Sequence, residues 1–145
     1  RQAADLISEN WLQGSGLGNY TQAVYNQDTS QNAWDYQPVH NIYMLAIAEV
    51  GVFGGLVYIL IFAEFIRSSF ITINRKREPD HWFLIFTAIF FALIIIGLFD
   101  HYLWTLSFGI LLFWMMLGLW TKTWRENDEG GLFGNILDKL IHRQP

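Results

Sequence analysis

The chain has 145 residues, of which 52% are hydrophobic and 17% aromatic, with no cysteine and a formal net charge of −4. That charge gives no basis for a nucleic-acid partner, and the lack of cysteine excludes disulfides and thiolate metal sites. The apolar residues are gathered into three nearly charge-free blocks, which is how membrane spans are distributed and not how a single soluble core is.

The chain opens at Arg1, without an initiator Met or a signal peptide, directly into a polar segment. It therefore reads as the C-terminal piece of a longer membrane protein whose missing N-terminal spans bring residue 1 to the outer side. Residues 1–12, RQAADLISENWL, carry apolar positions at Ala4, Leu6, Ile7, Trp11 and Leu12, and this spacing predicts a short helix. GSGLGNY at 14–20 follows, with Gly14, Gly16 and Gly18 alternating. It lacks the Lys-Ser/Thr of a P-loop and the strand–helix setting of a dinucleotide fingerprint, so by itself it is a turn-rich loop. Asn19-Tyr20-Thr21 fits a glycosylation sequon, a weak signal. The Gln/Asn/Asp/Thr-rich stretch up to Pro38 reads as a loop without a core of its own.

Three spans are then expected, at 42–66, 82–99 and 102–120. At about 1.5 Å per residue they measure roughly 27–37 Å, against a hydrocarbon core of about 30 Å. Only Asp100 and His101 separate the last two, which predicts a tight helical hairpin. Arg67, Arg75, Lys76 and Arg77 sit around the 67–81 loop, and Lys122, Arg125, Lys139 and Arg143 follow the third span, whereas the first forty residues hold Arg1 alone. The positive-inside rule then places residues 1–41 and the 100–101 tip outside, and the loop and the 121–145 tail in the cytoplasm. Trp82, Trp104, Trp120 and Trp124 fall near span ends, where an indole keeps its ring apolar and its N–H wet. After a polar turn from Arg125 to Gly131, Leu132, Phe133, Ile136, Leu137, Leu140 and Ile141 form one face of an amphipathic helix suited to the inner membrane surface. The fold class is all-α: an outer loop with a short helix, three transmembrane helices and a cytoplasmic amphipathic helix.

Within QPVHNIYMLAIAEVGVFGG (37–55), Pro38 bars helix and Asn41 suits the N-cap of the first span. His40 is thereby held at the outer interface, at the positive end of a helix, where a phosphate is welcome and an imidazole can exchange protons with water. The plain alternative is an ordinary interfacial histidine. Glu49 lies within the span, where a lone carboxylate is costly. Nine residues place it on the face opposite His40 and roughly 13 Å deeper, so its partner is expected on a missing helix unless it is protonated. Glu64 has Arg67 three residues on and reads as a paired charge. Ala48, Gly51, Gly54 and Gly55 form a small-residue stripe that admits another helix closely. Asp100 and His101 are a second candidate acid/base pair, although hairpin tips favour polar residues anyway. His81 and His142 look incidental, and no His, Asp or Glu cluster has metal-ligand spacing along the chain.

His40-Asn41, then Gly51 and Gly54, resembles the signature of the O-antigen ligase and O-antigen polymerase family of bacterial membrane glycosyltransferases. In that family such a pair closes a large periplasmic loop. Gly14, Gly16, Gly18 and Tyr20 resemble its Gly-rich upstream element, and Arg1 resembles the arginine that opens the loop helix. The resemblance covers residues 1–55 closely and the rest by topology. It implies a multispan enzyme of the bacterial plasma membrane that moves a glycan from undecaprenyl pyrophosphate to a hydroxyl of an acceptor glycan or glycolipid on the outer face. It implies no cofactor and no metal ion. It further implies His40 and Arg1 as catalytic residues, with Asn41, Gly14, Gly16, Gly18 and Tyr20 binding substrate and Asp100, His101 and Glu49 in secondary roles. A transporter or flippase fragment, marked by Glu49 on a polar path, and a non-catalytic membrane assembly subunit are the readings from other classes.

Overall fold

The computed structural model describes residues 2–30, 32, 36–76 and 78–127. Among them every regular element is helical: α1 (Gln2–Glu9), α2 (Tyr20–Gln27), α3 (Ile42–Arg75), α4 (His81–Gly97), α5 (Tyr102–Thr105) and α6 (Ser107–Asn127). The amphipathic helix expected at 132–141 lies outside the described residues.

The segment before α3 departs from expectation by having a core. α2 forms in the polar stretch that reads as a loop, and Tyr20, Val24 and Tyr36 are buried with Ala3 and Leu6 of α1 against Leu45 and Ala48 of α3. Tyr20 and Tyr36 stand alone between polar residues and Ala23-Val24-Tyr25 is only three residues long, so no extended local run announces the helix. Docking on α3 supplies the burial that the segment's own sequence lacks.

α3 begins as predicted. The Asn41 side-chain oxygen accepts from the N–H groups of Tyr43 (3.1 Å) and Met44 (2.9 Å), satisfying two donors that a helix start leaves open. The single helix expected over 42–66 is not continuous, however. Gly51 stands at φ 72° and ψ 178°, outside helical geometry. The ring centroids of Tyr43 and Phe62 are 5.3 Å apart, whereas in an unbroken helix nineteen residues would separate them by roughly 28 Å. A Cβ on Gly55 would press on the side chain of Ile47. The limb 42–50 is therefore folded back on the limb 52–75, with Gly51 at the apex. The small-residue stripe serves this reversal: Gly55 meets the chain's own first limb, and Gly51 meets the backbone of Leu12 instead of another span.

α4 runs back along the second limb. The Tyr43 hydroxyl donates to the Ile94 carbonyl (2.9 Å), and Gly97 leaves room for Ile42. The helical hairpin is present, but its far arm is stepped. α5 ends at an extended Leu106 and α6 starts at Ser107, so the third expected helix is two. α6 also continues through Asn127, beyond the turn expected from Arg125. Its Asn127 is buried and ties the end of α3 and the start of α4 to the end of α6, accepting from Lys76 Nζ (3.1 Å) and Asp80 N–H (3.0 Å) while donating to the Thr123 carbonyl (2.8 Å).

Between these helices lies an aromatic core. Phe65 packs edge-to-face on Phe90 (4.6 Å) and Trp120 (4.7 Å), and Phe62 meets Phe113 at 5.6 Å. Trp120 is thus a core residue and not an interfacial one, at 5% exposure. The outward faces of α3, α4 and α6 are apolar too, with Phe70 and Phe108 each 67% exposed. By length and composition α3 is the one described helix able to cross a membrane. With 42–50 folded back, the limb 52–75 supplies that length, at roughly 36 Å. α4, with 17 residues, is a shorter apolar helix.

Candidate functional site

Reversal at Gly51 strips α3 of helical bonds at its apex, and the Gly-rich segment replaces them. Ser15 N–H donates to the Ala48 carbonyl (2.8 Å), Gly16 N–H to the Glu49 carbonyl (2.9 Å), and Val52 N–H donates to the Trp11 carbonyl (2.8 Å). This contact needs glycine on both sides. A Cβ at Gly14 would overlap the backbone of Glu49 and Gly51, and a Cβ at Gly51 would overlap that of Leu12.

The same segment resolves Glu49. Its side chain is buried, and the expected partner on a missing helix is replaced by three donors of the chain itself. Gly18 N–H and Trp104 Nε1–H donate to Oε2 at 2.9 and 2.8 Å, and Tyr20 N–H donates to Oε1 at 3.2 Å. Three N–H groups converging on one carboxylate offset the cost of burying it. Backbone donors have no residue-type signature, which is why the sequence gives no hint of two of the three.

A cavity of about 620 Å³ lies against this arrangement, walled by Gly18, Tyr20, Glu49, Tyr58, Trp104 and Phe113 and mostly apolar. It extends to Pro38 and Thr105, the near neighbours of His40 and His101. Burial pushes the Tyr20 phenol above its ordinary range.

At that rim the fold joins residues sixty positions apart. The His40 and His101 ring centroids are 5.1 Å apart. One ligand atom from each of His40, Asp100 and His101 lies within 4.8 Å of the others. Asn41 fixes the junction, its side-chain N–H donating to the Leu98 carbonyl at 3.1 Å. The Asp100 carboxylate oxygen Oδ1 accepts from the N–H groups of His101 (2.6 Å) and Tyr102 (3.3 Å), and His101 Nδ1 is 2.8 Å from Thr105 Oγ1. Burial holds the His101 imidazole below the usual histidine range. The Asp100 carboxylate pulls it back up, and the His40 ring pushes it further down. The absence of metal-ligand spacing along the chain is therefore corrected in space: the hairpin tip returns Asp100 and His101 to the start of α3, and only the fold makes the third member their neighbour.

His40, Asn41, Asp100 and His101 thus form one group and Gly14, Gly16, Gly18, Tyr20 and Glu49 another, bridged by the cavity. Arg1 lies outside the described residues. Trp104 and Thr105 belong to the site although sequence reading overlooked them, because a tryptophan at a span end looks interfacial and a threonine there carries no pattern. No family model matches this chain, and no curated protein or solved structure matches it either.

Proposed function

We propose that the chain is part of a membrane glycosyltransferase of the O-antigen ligase or polymerase type, moving a glycan from an undecaprenyl-pyrophosphate carrier to an acceptor hydroxyl on the outer face. The observation that carries the reading is the placement of His40 at the start of α3, joined to His101 and Asp100 beside an apolar cavity. A lipid-linked donor asks for both features, an apolar wall for part of its chain and a polar rim for its pyrophosphate. The exposed aromatic and aliphatic faces of α3, α4 and α6 suit hydrocarbon contact, since a water-soluble surface rarely exposes so continuous an apolar area. Three crossings, by 52–75, α4 and α6, with residues 2–41 outside and the α3–α4 loop inside, agree with the Lys/Arg distribution.

In this reading the acceptor oxygen attacks the anomeric carbon and His40 takes its proton. The bond to the carrier breaks, and its electron pair leaves with the pyrophosphate. Arg1 is assigned to the pyrophosphate as a fork-shaped donor. The transporter reading asked for Glu49 on an open polar path, and its engagement by three N–H groups favours transfer instead.

The test is His40→Ala in the full enzyme, assayed by glycan transfer from lipid-linked donor in reconstituted membranes and normalised to protein level. Loss on the order of 10²–10⁴-fold is expected, with unchanged insertion, because the exposed His40 ring contributes little packing. Gln keeps a hydrogen bond but cannot take the proton. Loss with His40→Gln as severe as with Ala identifies the base, and partial rescue identifies positioning. Transfer near wild type in the Ala variant removes His40 from the mechanism.

A further inference from the structure

Histidine–histidine–carboxylate is a metal-ligating set, and three features of its surroundings suit that use. The first is proximity: the three ligand atoms lie within 4.8 Å of one another. Ligands about 2.0–2.1 Å from a tetrahedral zinc stand roughly 3.3 Å apart, so closure needs a movement of up to about 1.5 Å. His40, the exposed member, has the freedom to make it.

The second is an outer contact on His101. Its Nδ1 lies 2.8 Å from Thr105 Oγ1, which also donates to the His101 carbonyl at 3.2 Å. That contact orients the ring as outer contacts orient metal-bound histidines, and with Nδ1 engaged Nε2 is the nitrogen available to an ion. The third is Asp100. Both N–H groups that it accepts fall on Oδ1, leaving Oδ2 for an ion. The Asn41–Leu98 bond holds the two halves of the site together before any ion arrives.

We infer that His40, Asp100 and His101 form a divalent-metal site on the outer rim of the cavity, with Zn²⁺ the ion its donors suit. Two imidazoles select a borderline transition ion over Mg²⁺ or Ca²⁺, which prefer all-oxygen sets. Three protein ligands leave a position for water or an exogenous anion. The inference goes beyond the transfer reading and does not rest on it. A bound ion would take up the His40 lone pair that transfer uses, so ion binding and proton uptake compete at that ring.

The test titrates Zn²⁺ and, separately, Co²⁺ into the tag-free full chain in detergent micelles, read by calorimetry and by the visible bands of Co²⁺. One ion per chain is expected, with no comparable heat from Mg²⁺ or Ca²⁺. His40→Ala, His101→Ala and Asp100→Asn should each weaken Zn²⁺ binding by 10-fold or more, on the order expected for disturbing a ligand or its support. Asp100→Asn keeps the oxygen that holds the turn, so its loss of affinity cannot be laid to unfolding. Thr105→Val, which leaves all three ligands in place, should weaken binding on the order of 10-fold. His81→Ala should leave it unchanged. Absence of the Co²⁺ bands, or binding that persists in the His40→Ala/His101→Ala double variant, would overturn the site.

Discussion

Glu49 shows how a single carboxylate can be misplaced by reasoning from residue types. Its depth in an apolar run correctly demands compensation, but the compensation comes from the amides of Gly18 and Tyr20 and from one indole. If those donors are what makes the burial tolerable, Trp104→Phe leaves the carboxylate one bond short. Glu49→Gln turns an N–H₂ toward at least one of the donors. Each should lower stability by about 1–3 kcal/mol, measured by thermal unfolding in detergent. The double variant should lose clearly less than the sum, because the two substitutions remove one shared interaction. Strict additivity would show that the indole and carboxylate do not support each other. Two other single-residue readings rested on local geometry and stand: Asn41 caps α3, and Glu64 pairs with Arg67 at 2.6 Å.

At the scale of elements, the sequence was legible at some helix starts. α1, the start of α3 and the short hairpin turn after α4 lie close to expectation, whereas α3 continues to Arg75, through most of the loop expected from 67, and α6 to Asn127. The reversal in α3 was not legible, because the apolar run 42–66 is uniform and a Gly-x-x-x-Gly spacing serves helix packing and chain reversal alike. The two differ in one dihedral. With φ 72° and ψ 178°, Gly51 occupies a region essentially reserved for glycine. Gly51→Ala should therefore cost more than the ~1–3 kcal/mol of backbone strain alone, since its Cβ also meets the Leu12 backbone. Gly118 provides the contrasting case. It lies within α6 with open space around its Cβ position, so Gly118→Ala should stabilise by about 0.5–1 kcal/mol. Opposite shifts in unfolding temperature for the two variants would confirm that the break is built in, and equal tolerance would refute it.

For the whole molecule, the Lys/Arg asymmetry and the apolar outer faces make one claim about topology. Single cysteines replacing the exposed Gln22 and Gln27 should react with an impermeant thiol reagent on intact cells, and cysteines replacing Asn74 and Glu78 should react only after permeabilisation. Labelling of Asn74 but not Gln27 would invert the assignment and remove His40 from the outer face. The candidate site was legible in part. His40 was readable from Pro38 and Asn41, but its grouping with Asp100 and His101 depends on contacts across sixty residues that no local pattern encodes. The interlock between the Gly-rich segment and α3 also bears on how such chains can diverge. A Cβ added at either Gly14 or Gly51 would collide with the backbone of the opposite segment. A side chain gained at one position cannot be accommodated by trimming the other, since neither has anything to trim. Drift at either position is closed unless the whole segment 10–18 moves, so related chains sharing this reversal should keep glycine at both places while varying freely at the outward Gln and Asn positions of α2.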